Sequence, residues 1–216
     1  MKRIIILSAP SGTGKSSVIS ALQTIFPNIS FSISATTRPP RKGEVDGQDY
    51  HFISREKFCE DLNNNKFIDH CKGHTGHLYG TYWSALHTQT TGNQWLLLDV
   101  NFEGFHAMKP AALAEGFEVI DLLLLPPSLQ ELQNRLIGRN TESLSHIQER
   151  LDFVHKDISH HDLYTYVVVN DVLEQCVQRC CTILKQHPNI DPSRFDLCAH
   201  EHANALLHEH TQKNIR

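Results

Sequence analysis

The stretch 3-RIIILSAPSGTGKSSVISALQTIF-26 constrains the fold more than any other part of the chain. Ile4–Leu7 is a short, unbroken apolar run, the pattern of a parallel strand buried on both faces. The loop 8-SAPSGTGKS-16 follows it. Val18, Ile19, Leu22, Ile25 and Phe26 then recur at helical spacing up to Pro27. Strand, glycine loop, Gly14-Lys15-Ser16 and helix make the phosphate-binding P-loop arrangement. Successive backbone N–H groups converge on one concavity, and the helix N-terminus adds positive potential. Ala9, Pro10, Ser11, Gly12, Thr13, Gly14, Lys15, Ser16 and Ser17 are therefore candidate ATP-binding residues. Lys15 would neutralise the β- and γ-phosphates, and Ser16 would be a magnesium ligand. Ala9 stands where such loops usually carry their first glycine, so its φ must be negative.

Further apolar runs alternate with helical patterns. Strands are expected at 29–33, 94–100, 117–125 and 165–170, with helices after Pro126-Pro127-Ser128, from Ser143 to about His160, and over 171–186. This alternation points to an α/β fold: a parallel sheet flanked by helices, joined by right-handed crossovers. Residues 34–92 are richer in polar residues, glycine and aromatics, and are expected to form an inserted segment of small strands and short helices. With a net charge of −4 there is no basic field for nucleic acid. The longest apolar run, 122-LLLLPP-127, is too short to span a membrane, and no signal-peptide pattern precedes the loop. A cytoplasmic location is expected. The six cysteines are expected to be buried or half-buried thiols rather than a disulfide framework.

The segment 36-TTRPPRKGEVDGQDYHF-52 has neither helical nor strand periodicity. Arg38 and Arg41 can each fork onto phosphate oxygens, and Tyr50 and Tyr79 can add hydroxyl donors. Such a group suits a phosphomonoester dianion. A P-loop plus a second phosphate clamp implies phosphoryl transfer between two nucleotides.

These residues carry a resemblance to the guanylate kinases. Thr36-Thr37-Arg38, Arg41, Glu44, Gly47, Tyr50 and Phe52 match that family's signature. So do the form A-P-S-G-x-G-K-S-S, Y-G-T at 79–81, L-D-V at 98–100, R-L-x-G-R at 135–139, Arg150 and V-V-N-D at 168–171. The likeness runs from about Arg3 to Gln186. It implies a P-loop core (1–33, 93–137 and 151–186), a GMP-binding segment (34–92) and a small helical lid (138–150), with residues 187–216 outside it as a His-rich tail or helix. It implies ATP and GMP as substrates with Mg2+, and no covalent phospho-enzyme. Ser34, Asp69 and Thr81 would face the guanine; Arg38, Arg41, Tyr50 and Tyr79 would hold the GMP phosphate; Asp99 would sit near metal and acceptor. Arg135, Arg139 and Arg150 would fold onto the transferring phosphoryl, where cations lower the barrier. Asn170 and Asp171 would edge the adenine.

The chain departs from the family in three places. Asp69 stands for the usual glutamate. The segment 69-DHCKGHTGHLYG-80, with His70, His74 and His77, is one residue longer than usual. Asn101 replaces the second acid after L-D-V, and Glu103 a glutamine. Two other readings share the scaffold: a ribose bisphosphate kinase-like enzyme, and a catalytically silent binding module. The tail holds five of the fifteen histidines. The spacing of His200, His202, His208 and His210 does not gather a metal site.

Overall fold

The computed structural model describes residues 3–73, 76–88, 94–138, 153–189 and 192–213. Their contacts divide the chain into two compact units, Met1–Ile6 with Pro27–Val119, and Leu7–Phe26 with Ile120–Arg216. The division passes through the first strand, β1 (Arg3–Ser8).

In the first unit, β1 is joined by β2 (Ile29–Phe31) and β7 (Trp95–Asp99) in the order β2-β7-β1. β2 and β7 are parallel, with Ile29 opposite Trp95 and Phe31 opposite Leu97. Ile4, Ile5 and Ile6 are fully buried, as are Leu96 and Leu97. Unbroken apolar runs thus became strands with both faces covered. Arg3 forks onto Glu118 at 2.7 and 2.9 Å and lies over the Trp95 ring.

The segment after β2 folds into a second sheet of order β4-β3-β6-β5. It is built from β3 (Ala35–Thr36), β4 (His51–Phe52), β5 (Phe67–Lys72) and β6 (Leu78–Tyr82), with helices α2 (Arg55–Asn63) and α3 (Trp83–Thr88). Its small core stacks Phe67 on Phe58 and on Tyr82, with ring centroids 4.5 Å apart in both contacts. Asp61, buried at the foot of α2, accepts from Lys66 and from the Tyr82 hydroxyl. The Lys66 hydrogen bond is the main cause of its low pKa, about 2. α4 (Phe102–Ala114) packs on β5, capped by the Asn101 side chain, which accepts from Gly104 N at 2.9 Å.

In the second unit, the end of β1 leads into α1 (Lys15–Ile25), and the strand order is β1-β8-β9. β8 (Glu118–Leu125) and β9 (Tyr166–Val169) pair in parallel, with Leu122 opposite Tyr166. α5 (Leu129–Gly138) starts where Ser128 Oγ accepts from Glu131 N. Residues 153–159 are helical (α6), and α7 (Leu173–Gln186) packs on α1 with Cys176, Cys180 and Cys181 buried. Cys59 and Cys198 are exposed, against expectation, and all six thiols are free. The proposed lid beyond Gly138 lies outside the described residues, as do Ser143, Arg139 and Arg150.

The tail is a packed helix far longer than its few apolar residues suggest. α8 (Pro192–Lys213) buries Ala199, Ala203 and Leu206 and lies against β9 and α5. Two histidines tie it down. His202 Nε2 donates to the Pro126 carbonyl at 2.8 Å, and His161 Nδ1 meets His200 Nδ1 at 2.6 Å, one ring donating and the other accepting. Among the described residues no group of three or more His, Cys, Asp or Glu side chains could hold a metal, and no helix is long and apolar enough to cross a membrane.

β8 is also fastened to the loop before β9. Asp121, 1% exposed, accepts from Thr165 N at 2.6 Å and Thr165 Oγ1 at 2.8 Å. Asp121→Ala should lower stability by about 1–3 kcal/mol through the donors left unpaired, read as a lower urea midpoint with an unchanged slope.

Candidate functional site

The glycine loop of the second unit is shaped by backbone. Gly12 (φ 92°) and Gly14 (φ 97°) take left-handed conformations, which side-chain-bearing residues adopt only at a cost. Among described non-glycine residues only Asn65 has positive φ, so Ala9 meets its condition. Thr13 N donates to the Pro10 carbonyl at 3.2 Å, and Gly14 caps α1 through its carbonyl, which accepts from Ser17 N and Val18 N. No acidic side chain occupies the first turn of α1, so its positive end is left for an anion.

Neighbouring elements hold this loop in place. A Cβ at Gly12 would come within 3.0 Å of Leu132 and Leu136 on α5, and one at Gly14 within 2.7 Å of Asn170 Nδ2. Asn170 is 5% exposed. It takes its place from β9: its N donates to the Leu125 carbonyl at 2.8 Å and its side-chain amide to the Thr13 carbonyl at 2.7 Å. Its amide is committed to the loop backbone. Arg135 lies at the same carbonyl, 3.4 Å from it, with its Nε on Glu131. Lys15 is half-buried and Ser16 exposed.

The first unit carries a separate polar cluster. Arg38 is buried, yet its fork is occupied: Nη1 and Nη2 each donate to Glu44 at 2.8 Å, and Nη1 also to the Pro39 carbonyl. Glu44 also accepts from Arg41 N at 2.6 Å, closing the turn between the two arginines. The bond to Glu44 pushes the Arg38 pKa further up, with Tyr79 contributing. Its guanidinium lies 5.4 and 5.6 Å from the Tyr50 and Phe52 ring centroids, and Tyr50 meets Tyr79 edge-on at 6.0 Å. Burial, then the nearby Asp99 charge, lifts the Tyr50 phenol to about 12, so it remains a donor. Arg38, Tyr50, Tyr79 and Asp99 thus gather in one place. Arg41 is exposed beside them.

A third group lines the β5–β6 face. Asp69 opposes Thr81 in register and Cys71 opposes Tyr79. Asp69 Oδ1 accepts from Thr81 N at 3.1 Å. Its Oδ2 is 2.7 Å from where a Gly104 side chain would begin, so α4 approaches this closely only because residue 104 has none. Burial raises the Asp69 pKa, against the pull of the Thr81 hydrogen bonds. Ser34 is half-buried, its carbonyl accepting from His51 N. His70 is exposed, His77 half-buried, and His74 lies outside the described residues. The sequence reading missed Gly104 and the capping role of Asn101; an Asn three residues before an N–H that needs an acceptor, at the start of a helix, was the available signal.

The strand–loop–helix at Gly14-Lys15-Ser16 places the chain among the α/β P-loop nucleotide-binding proteins. The family model "Guanylate kinase" matches residues 1–187. A guanylate kinase of Ruegeria sp. (strain TM1040) is 35% identical over 213 residues, 95% of this chain and 93% of that protein. One from Haemophilus influenzae (strain 86-028NP) is 39% identical over 184 residues, 84% of this chain and 86% of that protein. The crystal structure of guanylate kinase from Anaplasma phagocytophilum superposes with a TM-score of 0.67 at 28% identity, covering 88% of each chain. The chain belongs to the guanylate kinase family.

The burial of Asp69 has a measurable consequence. Its folded pKa lies above the unfolded value, so the folded state binds more protons and ionised Asp69 opposes folding as pH rises through the folded pKa. Asp69→Asn, which keeps an acceptor for Thr81 N, should be more stable than the parent to urea near about pH 8, and this gain should vanish near about pH 4.

Proposed function

We propose that the protein transfers the γ-phosphoryl group of ATP to GMP, giving ADP and GDP. The observation that carries the reading is the coexistence, in a chain of this family, of a glycine-shaped anion cradle with a distinct Arg38–Tyr50–Tyr79 cluster. One suits a polyphosphate and the other a phosphomonoester.

The loop amides and Lys15 would hold the ATP phosphates, with Arg135 at the loop carbonyl. Arg139 and Arg150 complete the proposed cationic set on the moving group. Ser16 is an exposed hydroxyl on the first turn of α1, a hard oxygen donor that fits Mg2+. When bound with ATP, Mg2+ would supply charge neutralisation at the phosphates. Arg38, with Arg41, Tyr50 and Tyr79, would bind the GMP phosphate; Ser34, Asp69 and Thr81 would face its base, and Asp99 the acceptor side. Segment 34–92 is then the acceptor-binding segment, and 138–150 the lid. Asn170, proposed at the adenine side, would act through the loop that its amide supports.

An oxygen of the GMP phosphate forms the new bond to Pγ, and the bond from Pγ to the bridging oxygen of ADP breaks. The attacking oxygen of a dianion needs no base to remove a proton. Catalysis is then positioning and electrostatic stabilisation of charge on the transferring group. Glu44 holds the Arg38 fork in one geometry before substrate arrives, which lowers the ordering cost of binding. The role is in purine nucleotide metabolism, in the cytoplasm.

The test offers the protein ATP and Mg2+ with GMP, dGMP, AMP, UMP or ribose 1,5-bisphosphate, and follows ADP release. Selective turnover of GMP is expected. Turnover of the sugar phosphate alone would instead mean a ribose bisphosphate kinase, and failure to bind ATP a silent module. In the same assay Arg38→Ala should raise KM for GMP by about 10-fold or more, the value of a lost charge-assisted hydrogen bond, and leave KM for ATP near the parent value. Equal increases would refute the acceptor-side role.

A further inference from the structure

Three histidine contacts fasten the end of the chain to the second unit, and protonation treats them differently. His202 Nε2 donates to the Pro126 carbonyl at 2.8 Å, and a protonated ring donates equally well. His187 Nδ1 lies 2.9 Å from the Tyr166 hydroxyl, which can donate to a neutral ring or accept from a protonated one. The contact between His161 and His200 has no such freedom. Their Nδ1 atoms are 2.6 Å apart and their ring centroids 4.9 Å. One Nδ1 must carry a proton and the other must offer its lone pair. A first added proton leaves this arrangement intact, because it can settle on Nε2 of the donating ring. A second sets two N–H groups and two positive charges face to face, since both nitrogens of a protonated imidazole are donors.

His161 is buried at the start of the 3-10 turn His161–Leu163, and His200 is half-buried on α8 beside buried Ala199. The elements packed on α8 carry other ionisable groups. Asp162 in the turn and Glu201 on α8 itself are exposed, so solvent screens them and neither offsets a second positive charge in this contact. His160 is half-buried before the turn, Tyr166 of β9 is engaged by His187, and Glu131 and Arg135 of α5 pair with each other. α8 lies against β9 and α5. Those two elements brace the glycine loop. Leu132 and Leu136 of α5 stand 3.0 Å from the Cβ position of Gly12, and Asn170, directly after β9, donates to the Thr13 carbonyl at 2.7 Å.

We propose that the His161–His200 pair is an acid-sensitive latch. α8 stays docked while the two rings share a proton, and it loosens when both become charged, which weakens the bracing of the glycine loop. The helix that the latch holds lies beyond the family match, which ends at residue 187. The sign follows from the protons bound. Once both free rings are charged, the docked pair holds one proton fewer than the undocked pair. Docking therefore weakens as pH falls below about 6.5, the ordinary histidine value, by up to about 10-fold per pH unit. The effect on ATP rests on the proposed nucleotide site; the latch itself does not.

The test follows amide hydrogen exchange over residues 199–207 of α8 from about pH 8 to about pH 5, corrected for the intrinsic rate, with α7 as the internal reference. In the parent, protection of α8 should fall by about 10-fold or more across this range while that of α7 holds. His200→Asn and His161→Asn each put an amide in place of one ring, and its oxygen accepts from the remaining histidine in either protonation state. Both variants should keep α8 protected at the acid end. His202→Gln keeps a donor for the Pro126 carbonyl and should retain the acid response of the parent. A flat parent profile, an acid loss that both Asn variants keep, or one that His202→Gln removes overturns the latch. The Kd for ATP with Mg2+, measured by calorimetry over the same range, should rise more in the parent than in His200→Asn. An equal rise in both overturns the link to the glycine loop. Absence of ATP binding near about pH 8 removes the nucleotide reading, and the exchange profiles still decide the latch.

Discussion

The left-handed backbone at Gly14 is the constraint on which the glycine loop depends. The chain passes from β1 into α1 at a residue with φ 97°, where a side chain would run into Asn170. The loop cannot hold that shape alone. The amide of Asn170, itself pinned to the Leu125 carbonyl, fastens the loop at the Thr13 carbonyl, and Leu132 and Leu136 of α5 close over Gly12. Two later segments of the same unit therefore brace the loop.

The first unit meets a different difficulty, a buried guanidinium. Glu44 answers it with a bidentate pair, and the rings of Tyr50 and Phe52 cover the flat face of Arg38. An unpaired charge in that position would be strongly unfavourable. The pairing also fixes the turn from Arg38 to Arg41 through Arg41 N. Asp69 is a carboxylate whose burial outweighs its Thr81 hydrogen bonds, and its environment exists only because Gly104 lets α4 approach so closely.

Much of this was readable from residue pattern. Unbroken apolar runs such as Ile4–Leu7 and Leu122–Leu125 marked buried strands to within a residue or two, because a strand covered on both faces tolerates no polar position. Gly14-Lys15-Ser16 marked the glycine-shaped turn into α1, and Arg38 and Tyr50, twelve residues apart in sequence, lie together. Other features lie in tertiary contact and have no linear signature. The meeting of Asp69 with Gly104 joins β5 to α4, and the bond from Asn170 to Thr13 spans most of the chain. Pattern left the tail open between a loose segment and a helix, because α8 buries small residues, Ala199 and Ala203, that mark an apolar face weakly.

That helix has a consequence for solution behaviour. β9 ends the order β1-β8-β9, and α8 lies against it. A terminal strand with Tyr166, Val167 and Val168 would otherwise offer an apolar, β-prone surface to another copy of itself. The histidine-rich segment beyond residue 187, outside the family match, thus supplies part of the cover over that strand.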